Sequence, residues 1–168
     1  QWQVTYAADF CGTTPEVWSF TNGTDATSTN PSFNFVTPGT YTIQLTGTNE
    51  SCGSEISSQQ VIVKQPPTAT INPINDLCNA TSIPPTATID NCTDNSSSVT
   101  YDWQFSGANT TSSNFESPGT IDYPSPGTYT ITLQVTNDCG VSAVVSETFT
   151  IQEVPMITNT DLSQDICS

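Results

Sequence analysis

A chain of 168 residues, of which 34% are hydrophobic and 9% aromatic, can form two small β-domains with modest cores. Charge is one-sided, because Lys64 is the only basic residue and 16 carboxylates give a formal net charge of −15. This excludes nucleic acid and anionic membrane surfaces as direct partners, and the absence of histidine excludes Ser-His or Cys-His nucleophile pairs and imidazole metal sites. A pair of carboxylates, as in glycosidases, is the main catalytic arrangement that the composition leaves. No spacing in the sequence picks out two facing carboxylates, so we expect that the protein is not an enzyme.

Alternation of apolar and polar residues predicts short strands separated by turns. In the segment that follows Pro126, the residues Tyr129, Ile131, Leu133 and Val135 fall on one face and polar residues on the other. The same alternation repeats at Tyr41, Ile43 and Leu45 in the first copy. The other predicted strands are, in chain order, 2–10, 16–20, 32–36, 56–64, 68–72, 86–90, 99–105, 119–123, 127–137 and 144–152. Short strands with frequent turn signals favour antiparallel β-sandwiches.

An internal repeat divides the chain. PGTYTI occurs at 38–43 and again at 126–131, and in our alignment WSF at Trp18 matches WQF at Trp103. TNESCG, ending at Gly53, likewise matches TNDCG in the second copy. A period of about 88 residues fits these matches and predicts two copies of one domain, at 1–66 and 67–155.

These motifs resemble a known family. Trp-x-Phe, N-P-S-F-N-F and P-G-T-Y-T-I-Q-L-T, with W-Q-F and P-G-T-Y-T-I-T-L-Q-V-T-N in the second copy, closely resemble the signature of PKD (polycystic kidney disease) domains. The resemblance implies tandem immunoglobulin-like β-sandwiches, as in large surface adhesins of the Bacteroidetes. One departure is that the family's Gly-Asp-Gly is replaced by sequences beginning at Thr21 and Ser106, so a ligand role of that Asp is not carried over.

The C-terminal residues 156–168 resemble the start of the second copy. The first copy begins at WQVTYAADFC, which we align with the strand before Cys92, so we expect the first copy to lack its own first strand. Three interpretations remain open. The chain is a window of a long tandem array, or residues 156–168 complete the first domain of the next molecule by strand donation, or they are disordered while the first domain does without the strand.

Six cysteines without a Cys-x-x-Cys motif favour disulfides in an extracellular setting over a zinc site. Cys11 and Cys92 follow predicted strands, and Cys52 and Cys139 lie in a later loop that we expect at the same end of each sandwich. The leading pairings are therefore Cys11 with Cys52 and Cys92 with Cys139.

Two further cysteines, Cys78 and Cys167, lie 89 residues apart on the first strands of successive copies. They are candidates for a covalent link between units. The competing interpretation pairs Cys78 with Cys139 or with Cys92.

The densest acidic group could hold calcium, although a solvated loop explains it better; its members are Asp90, Asp94 and Asp102. We expect core roles for the repeated aromatic residues, with each tyrosine hydroxyl bonded to nearby backbone; these residues are Trp18, Tyr41, Trp103 and Tyr129. Glycosylation sequons begin at Asn22, Asn49, Asn79, Asn91, Asn95 and Asn109.

The preferred hypothesis is a structural repeat of an extracellular filament, stalk or adhesin on a cell surface, joined to identical neighbouring units. Repeated modules span distance, and a negative, lysine-poor surface keeps such an assembly soluble. The alternative is a carbohydrate- or protein-binding accessory module of a secreted enzyme. Exposed coplanar aromatic rings would favour the alternative, and buried tryptophans the filament.

Overall fold

The computed structural model describes residues 1–11, 17–78, 81–94 and 97–156. All helical and strand structure in these ranges is β-strand, which confirms the predicted all-β class. None of the described segments forms an apolar helix of membrane-spanning length. We refer to residues 1–63 as the N-terminal unit, to 64–67 as the linker and to 68–156 as the C-terminal unit.

The N-terminal unit contains two antiparallel sheets, one with the strand order β1-β4-β5 and one formed by β2 and β3. Its strands are β1 (Trp2–Asp9), β2 (Trp18–Thr21), β3 (Ser32–Phe35), β4 (Gly39–Asn49) and β5 (Gly53–Val63).

The C-terminal unit is larger and includes short additional strands. Its strands are β6 (Thr68–Ile71), β7 (Leu77–Cys78), β8 (Ser82–Ile83), β9 (Ala87–Asp90), β10 (Thr100–Phe105), β11 (Ser112–Ser113), β12 (Ile121–Asp122), β13 (Gly127–Asn137), β14 (Gly140–Val141) and β15 (Val145–Gln152). The main sheet has the order β11-β10-β13-β15-β7, β14 pairs with β13, and β6 pairs with β9 on its own. The parallel pairing of β7 with β15 is the exception among otherwise antiparallel pairs of described strands.

Each strand predicted from alternation appears in the structure, most within one or two residues of its predicted bounds. The larger differences are at β5, which begins at Gly53, and at β12, which is reduced to two residues. The short strands β7, β8, β11 and β14 were not predicted, because two-residue pairings leave no periodic signal.

The core of the C-terminal unit follows the predicted alternation of β13. Ile131, Leu133 and Val135 are fully buried, and Trp103 beside them is 0% exposed. β6 packs over this core and contributes the buried Ile71. The two faces of this unit are thus closed over one apolar interior, as a β-sandwich requires.

The main sheet of each unit, β1-β4-β5 and β11-β10-β13-β15-β7, pairs its strands in the same register. This common register corrects our alignment of the tryptophans. Trp103 lies opposite Leu133 on β13, and Trp2 lies opposite Leu45 on β4, with Leu45 and Leu133 each four residues after the repeated tyrosine. Trp2, not Trp18, is therefore the counterpart of Trp103. Strand β1 corresponds to β10 and not, as expected, to the strand before Cys92.

The consequence is an N-terminal unit with a less protected core. Its described strands include counterparts of β10, β13 and β15 but none of β6 or β9. Val4 and Tyr41 are buried, whereas most of the other aromatic side chains are only half-buried; these are Trp2, Tyr6, Trp18, Phe20, Phe33 and Phe35.

The repeated tyrosines behave as predicted. The Tyr41 hydroxyl donates to the carbonyl oxygen of Thr37 at 2.7 Å, and the Tyr129 hydroxyl donates to that of Ser125 at 2.7 Å. Both bonds reach back four residues and fix the turn before the strand. Tyr129 is half-buried, and Gly107 approaches its ring so closely that an added Cβ would lie 2.9 Å from Cε1.

Candidate functional site at the junction

Contacts between the two units concentrate where the linker meets the C-terminal unit. We call this region the junction, and it comprises Cys11, Lys64, Gln65, Pro66, Asn91, Cys92, Asp94, Ser97, Asn137, Asp138 and Gly140. Because β1 runs antiparallel to β4 and ends opposite Gly39, it delivers Cys11 to the same end of the N-terminal unit as the linker.

One disulfide crosses the junction. Cys11 is bonded to Cys92, with 4.7 Å between the Cα atoms and a sequence separation of 81. The expected pairings of Cys11 with Cys52 and of Cys92 with Cys139 are therefore wrong. The bridge ties the two units together instead of closing a loop within either one.

The register explains the error. Cys52 lies at the β4–β5 turn, where Asn49 pairs with Gly53, whereas Cys11 lies at the other end of the 11-residue strand β4. The two ends of such a strand are about 35 Å apart. Our alignment placed β1 one strand too early in the sandwich order and so reversed the end at which Cys11 emerges.

The remaining described cysteines, Cys52, Cys78 and Cys139, are exposed and free. Cys78 lies opposite Gln152, at the far end of the C-terminal unit from Cys139, which excludes the competing intrachain pairings of Cys78 in this fold. Burial and the nearby Asp138 raise the pKa of the Cys139 thiol, which disfavours the nucleophilic thiolate. Cys167 lies outside the described residues.

Lys64 occupies the acidic side of the junction. Its Nζ lies 3.2 Å from Oδ2 of Asp138 and 3.4 Å from Oδ1 of Asp94, and it donates to Oγ of Ser97 at 3.1 Å. These carboxylates, with Asp138 the larger influence, raise the pKa of Lys64. The one basic side chain of the protein thus pairs with one carboxylate from each of two neighbouring loops.

The candidate calcium ligands are not brought together as a set. Among the described residues, the group of three acidic or cysteine side chains close enough for one ion is Cys11, Asp90 and Cys92, two of which form the disulfide. Asp94 contacts Lys64, and Asp102 accepts a hydrogen bond from Gln104 on β10.

Asn137 fastens the linker to the C-terminal unit. It is only 7% exposed, and its Nδ2 donates to the carbonyl oxygens of Gln65 at 2.9 Å and Asn91 at 2.8 Å. Pro66 packs on Gly140, where an added Cβ would lie 3.2 Å from Cγ of the proline. Sequence reasoning missed these contacts, although the repeated Thr-Asn before each Cys-Gly pointed to them.

The sequons divide between exposed and structural positions. Asn22, Asn49 and Asn109 are exposed, whereas Oδ1 of Asn91 accepts a hydrogen bond from Asn137. Asn79 and Asn95 lie outside the described residues.

The half-buried aromatic side chains form the second notable surface. Trp2 meets Phe33 at a centroid distance of 6.2 Å and an angle of 72°, and Trp18 meets Phe20 at 5.4 Å and 77°. The rings of this group meet at mixed angles, from 20° between Phe33 and Phe35 to 77° between Trp18 and Phe20, and do not form one coplanar row. Together they make an incompletely covered core in the N-terminal unit.

The comparison with protein-family models agrees with the fold. No curated protein matches the chain. Among solved structures, the chain resembles the fibronectin(III)-like modules of Clostridium thermocellum CbhA, with 15% identity over 90% of this chain and 83% of that chain and a TM-score of 0.38. The family model for the PKD domain matches residues 64–152, which are just over half of the chain. The chain therefore belongs to the PKD domain family.

Proposed function

We propose that this protein is a non-catalytic structural repeat of an extracellular filament, stalk or adhesin at the cell surface, joined to identical neighbouring units through residues 156–168. PKD domains are extracellular modules, and a disulfide across the junction suits an oxidising compartment. The formal charge of −15 opposes nonspecific association and binding to nucleic acid or anionic membranes.

The observation that carries the proposal is the open edge of β5. In the C-terminal unit, the parallel strand β7 pairs with β15 so that Leu77 lies opposite Ile151. Ile151 pairs with Gly127, and Val63 pairs with Gly39 at the same place in the N-terminal unit. Among the described strands, none occupies the edge of β5 beside Val63.

Residues 156–168 have the sequence suited to this edge. Ile166 and Cys167 follow Leu77 and Cys78 by 89 residues, which is the period of the repeat. A segment of this kind adds to an edge strand through main-chain hydrogen bonds, while its side chains fill pockets on one face. We infer that Ile166 of one copy lies opposite Val63 of the next.

Burial of the half-buried aromatic side chains would favour strand addition. A donated strand would cover rings such as Trp2 and Phe33 in the way that β6 covers the core of the C-terminal unit. Apolar area removed from water stabilises by about 25 cal/mol per Å². The thiols of Cys78 and Cys167 could then lock neighbouring units covalently.

Sedimentation velocity under reducing conditions tests strand donation. The intact chain should associate as its concentration rises, and Ile166→Asp should abolish this, because a carboxylate would enter an apolar site. Ser163→Asp is the matched control, with the same added charge at a tail position that we do not place in the site. A chain that stays monomeric at every concentration, or equal association of Ile166→Asp and wild type, would overturn the proposal.

Gel electrophoresis separates the covalent link from the noncovalent contact. Non-reducing gels should show multiples of 17.9 kDa that collapse on reduction. The double variant Cys78→Ser/Cys167→Ser should remove these multiples while leaving sedimentation under reducing conditions unchanged. Multiples that persist in the double variant would argue against these two thiols.

The accessory-module alternative has one observation in its favour, the partial exposure of Trp2 and Trp18. Their edge-to-face packing against phenylalanines is less suited to stacking on a sugar chain than a flat row would be. Tryptophan fluorescence measured with soluble cello- and chito-oligosaccharides distinguishes the two functions. A saturable shift lost in Trp18→Ala would favour the accessory module.

A further inference from the structure

The junction shows which contacts hold the linker of one unit on the unit that follows it. The linker lies on the end of the β13–β14 hairpin, where Asn137 donates to the carbonyl of Gln65 and Pro66 packs on Gly140. Lys64 pairs with Asp138 on the same hairpin. We call this end, Asn137 to Gly140, the inner hairpin end.

A similar asparagine turn recurs at the β4–β5 turn, residues Asn49 to Gly53, which we call the outer hairpin end and which is one residue longer than the inner one. Oδ1 of Asn49 accepts a hydrogen bond from the amide of Ser51 at 2.9 Å, just as Oδ1 of Asn137 accepts one from the amide of Cys139 at 2.9 Å. Gly53 and Gly140 both have positive φ angles, 89° and 144°.

The two hairpin ends differ in that the linker covers the inner one, whereas the outer one is exposed. Asn137 is buried by the linker, whereas Asn49 is exposed and nothing lies within 4 Å of a Cβ added to Gly53. A depression of about 500 Å³ adjoins the outer hairpin end, lined by residues that include Thr48, Asn49 and Glu55. The outer hairpin end is therefore built like a linker-binding surface but carries no linker among the described residues.

The chain also carries a segment equivalent to the linker. Because Val63 and Ile151 hold the same register position, Gln152, Glu153 and Val154 follow β15 as Lys64, Gln65 and Pro66 follow β5. The residue after each of these segments is proline in both cases. Pro67 is buried in the junction, and Pro155 is exposed.

We propose that residues 152–155 of one copy dock on the outer hairpin end of a second copy, with Nδ2 of Asn49 donating to the carbonyl oxygen of Glu153. The contact is head to tail and therefore builds a linear chain of molecules. It rests on the proposed assembly of identical copies but uses a different surface from the β5 edge.

Charge makes this contact weaker than the internal one. Gln152 stands where the junction has Lys64, and Glu50 stands where it has Asp138, so the ion pair is absent. The N-terminal unit also lacks, in its described residues, a counterpart of the loop that carries Cys92 and Asp94. The structure thus indicates how to strengthen the contact: Gln152→Lys would restore the missing partner of Glu50.

Sedimentation equilibrium at low ionic strength tests the contact. The background is the full chain carrying Ile166→Asp, so that strand donation does not contribute. Gln152→Lys should raise the association constant roughly fivefold, which is the scale of one exposed ion pair, and added salt should reduce the gain. Gln104→Lys is the matched control, because it places the same substitution on an exposed position of β10.

Two second substitutions complete the test. Glu50→Lys should remove the gain of Gln152→Lys, and Asn49→Asp should weaken association while keeping the acceptor for the Ser51 amide. The docking contact is wrong if Gln152→Lys associates no more than Gln104→Lys, or if its gain survives Glu50→Lys. Strand donation fails separately, through the Ile166→Asp comparison in the chain with native Gln152.

Discussion

Cys11 is bonded to Cys92, and this bridge joins a strand of the N-terminal unit to a loop of the C-terminal unit. A bond between units restricts their relative motion, whereas a bond within a unit only stiffens its fold. In the structural repeat that we propose, the bridge would hold each unit in a fixed position relative to the next. The linker contacts of Asn137 and Lys64 act at the same place.

Cys11→Ser should destabilise the chain. Closing a loop across 81 residues contributes about 4 kcal/mol by the chain-entropy estimate. Denaturant unfolding followed by tryptophan fluorescence measures the change, and Cys78→Ser, which removes an exposed free thiol, should leave the midpoint in place. Equal midpoints for Cys11→Ser and wild type under non-reducing conditions would contradict the observed pairing.

Asn137→Asp should cost about 2 to 4 kcal/mol, because it removes the Nδ2 donor and places a buried carboxylate against the carbonyl oxygens of Gln65 and Asn91. Asn49→Asp is the matched control at an exposed position with the same turn geometry and should change the free energy of unfolding by less than about 0.5 kcal/mol. Thermal unfolding of both variants gives the comparison. Similar losses in the two would contradict the fastening role of Asn137.

The junction should weaken in acid. The Ser97 hydroxyl, and after it Lys64, lower the pKa of Asp138 below its ordinary value of 3.8. A carboxyl group with a lower pKa in the folded state contributes stability above its unfolded pKa, and this contribution is lost as the pH falls through its folded pKa. The stability difference between wild type and Asp138→Asn should therefore shrink below about pH 4. A difference that is constant across this range would contradict the interaction.

The tyrosine hydroxyls should differ in their effect on stability. Tyr41→Phe removes the bond to the Thr37 carbonyl and should cost about 1 kcal/mol. Tyr123→Phe should be neutral or stabilising, because its buried hydroxyl has no partner among the described residues and burial raises its pKa to about 12. Chemical denaturation of both variants measures this, and a larger loss for Tyr123→Phe would contradict the assignment.

Local pattern was sufficient to predict the strands but not their order in the sheets. The alternation in β13 and the PGTYTI repeat located β4, β13 and the hydrogen bonds of their tyrosine hydroxyls directly. The position of β1 depended on which Trp was matched to Trp103, and WQF resembles both WQV at Trp2 and WSF at Trp18. Shifting the alignment of β1 by one strand leaves every local sequence pattern intact, so the sequence could not decide between the two. The pairing of β1 with β4 decides in favour of Trp2.

The wrong prediction of the disulfide pairing follows from this one-strand shift of β1. An antiparallel strand placed one position too early emerges at the wrong end of the sandwich, so Cys11 was expected beside Cys52 and lies beside Cys92. The role of Lys64 could have been suspected from the sequence, because one cation among 16 carboxylates is expected to pair with several of them. Its partner Asp138, 74 residues away, required the fold.

Hydrogen exchange at the outer edge of β5 tests the central claim, that identical units join by adding a strand there. Mass spectrometry of peptides covering residues 59–65 should show protection that increases with protein concentration, while peptides from β10 remain unchanged. The increase should disappear in Ile166→Asp. Exchange at this edge that is the same in dilute and concentrated protein would contradict the claim.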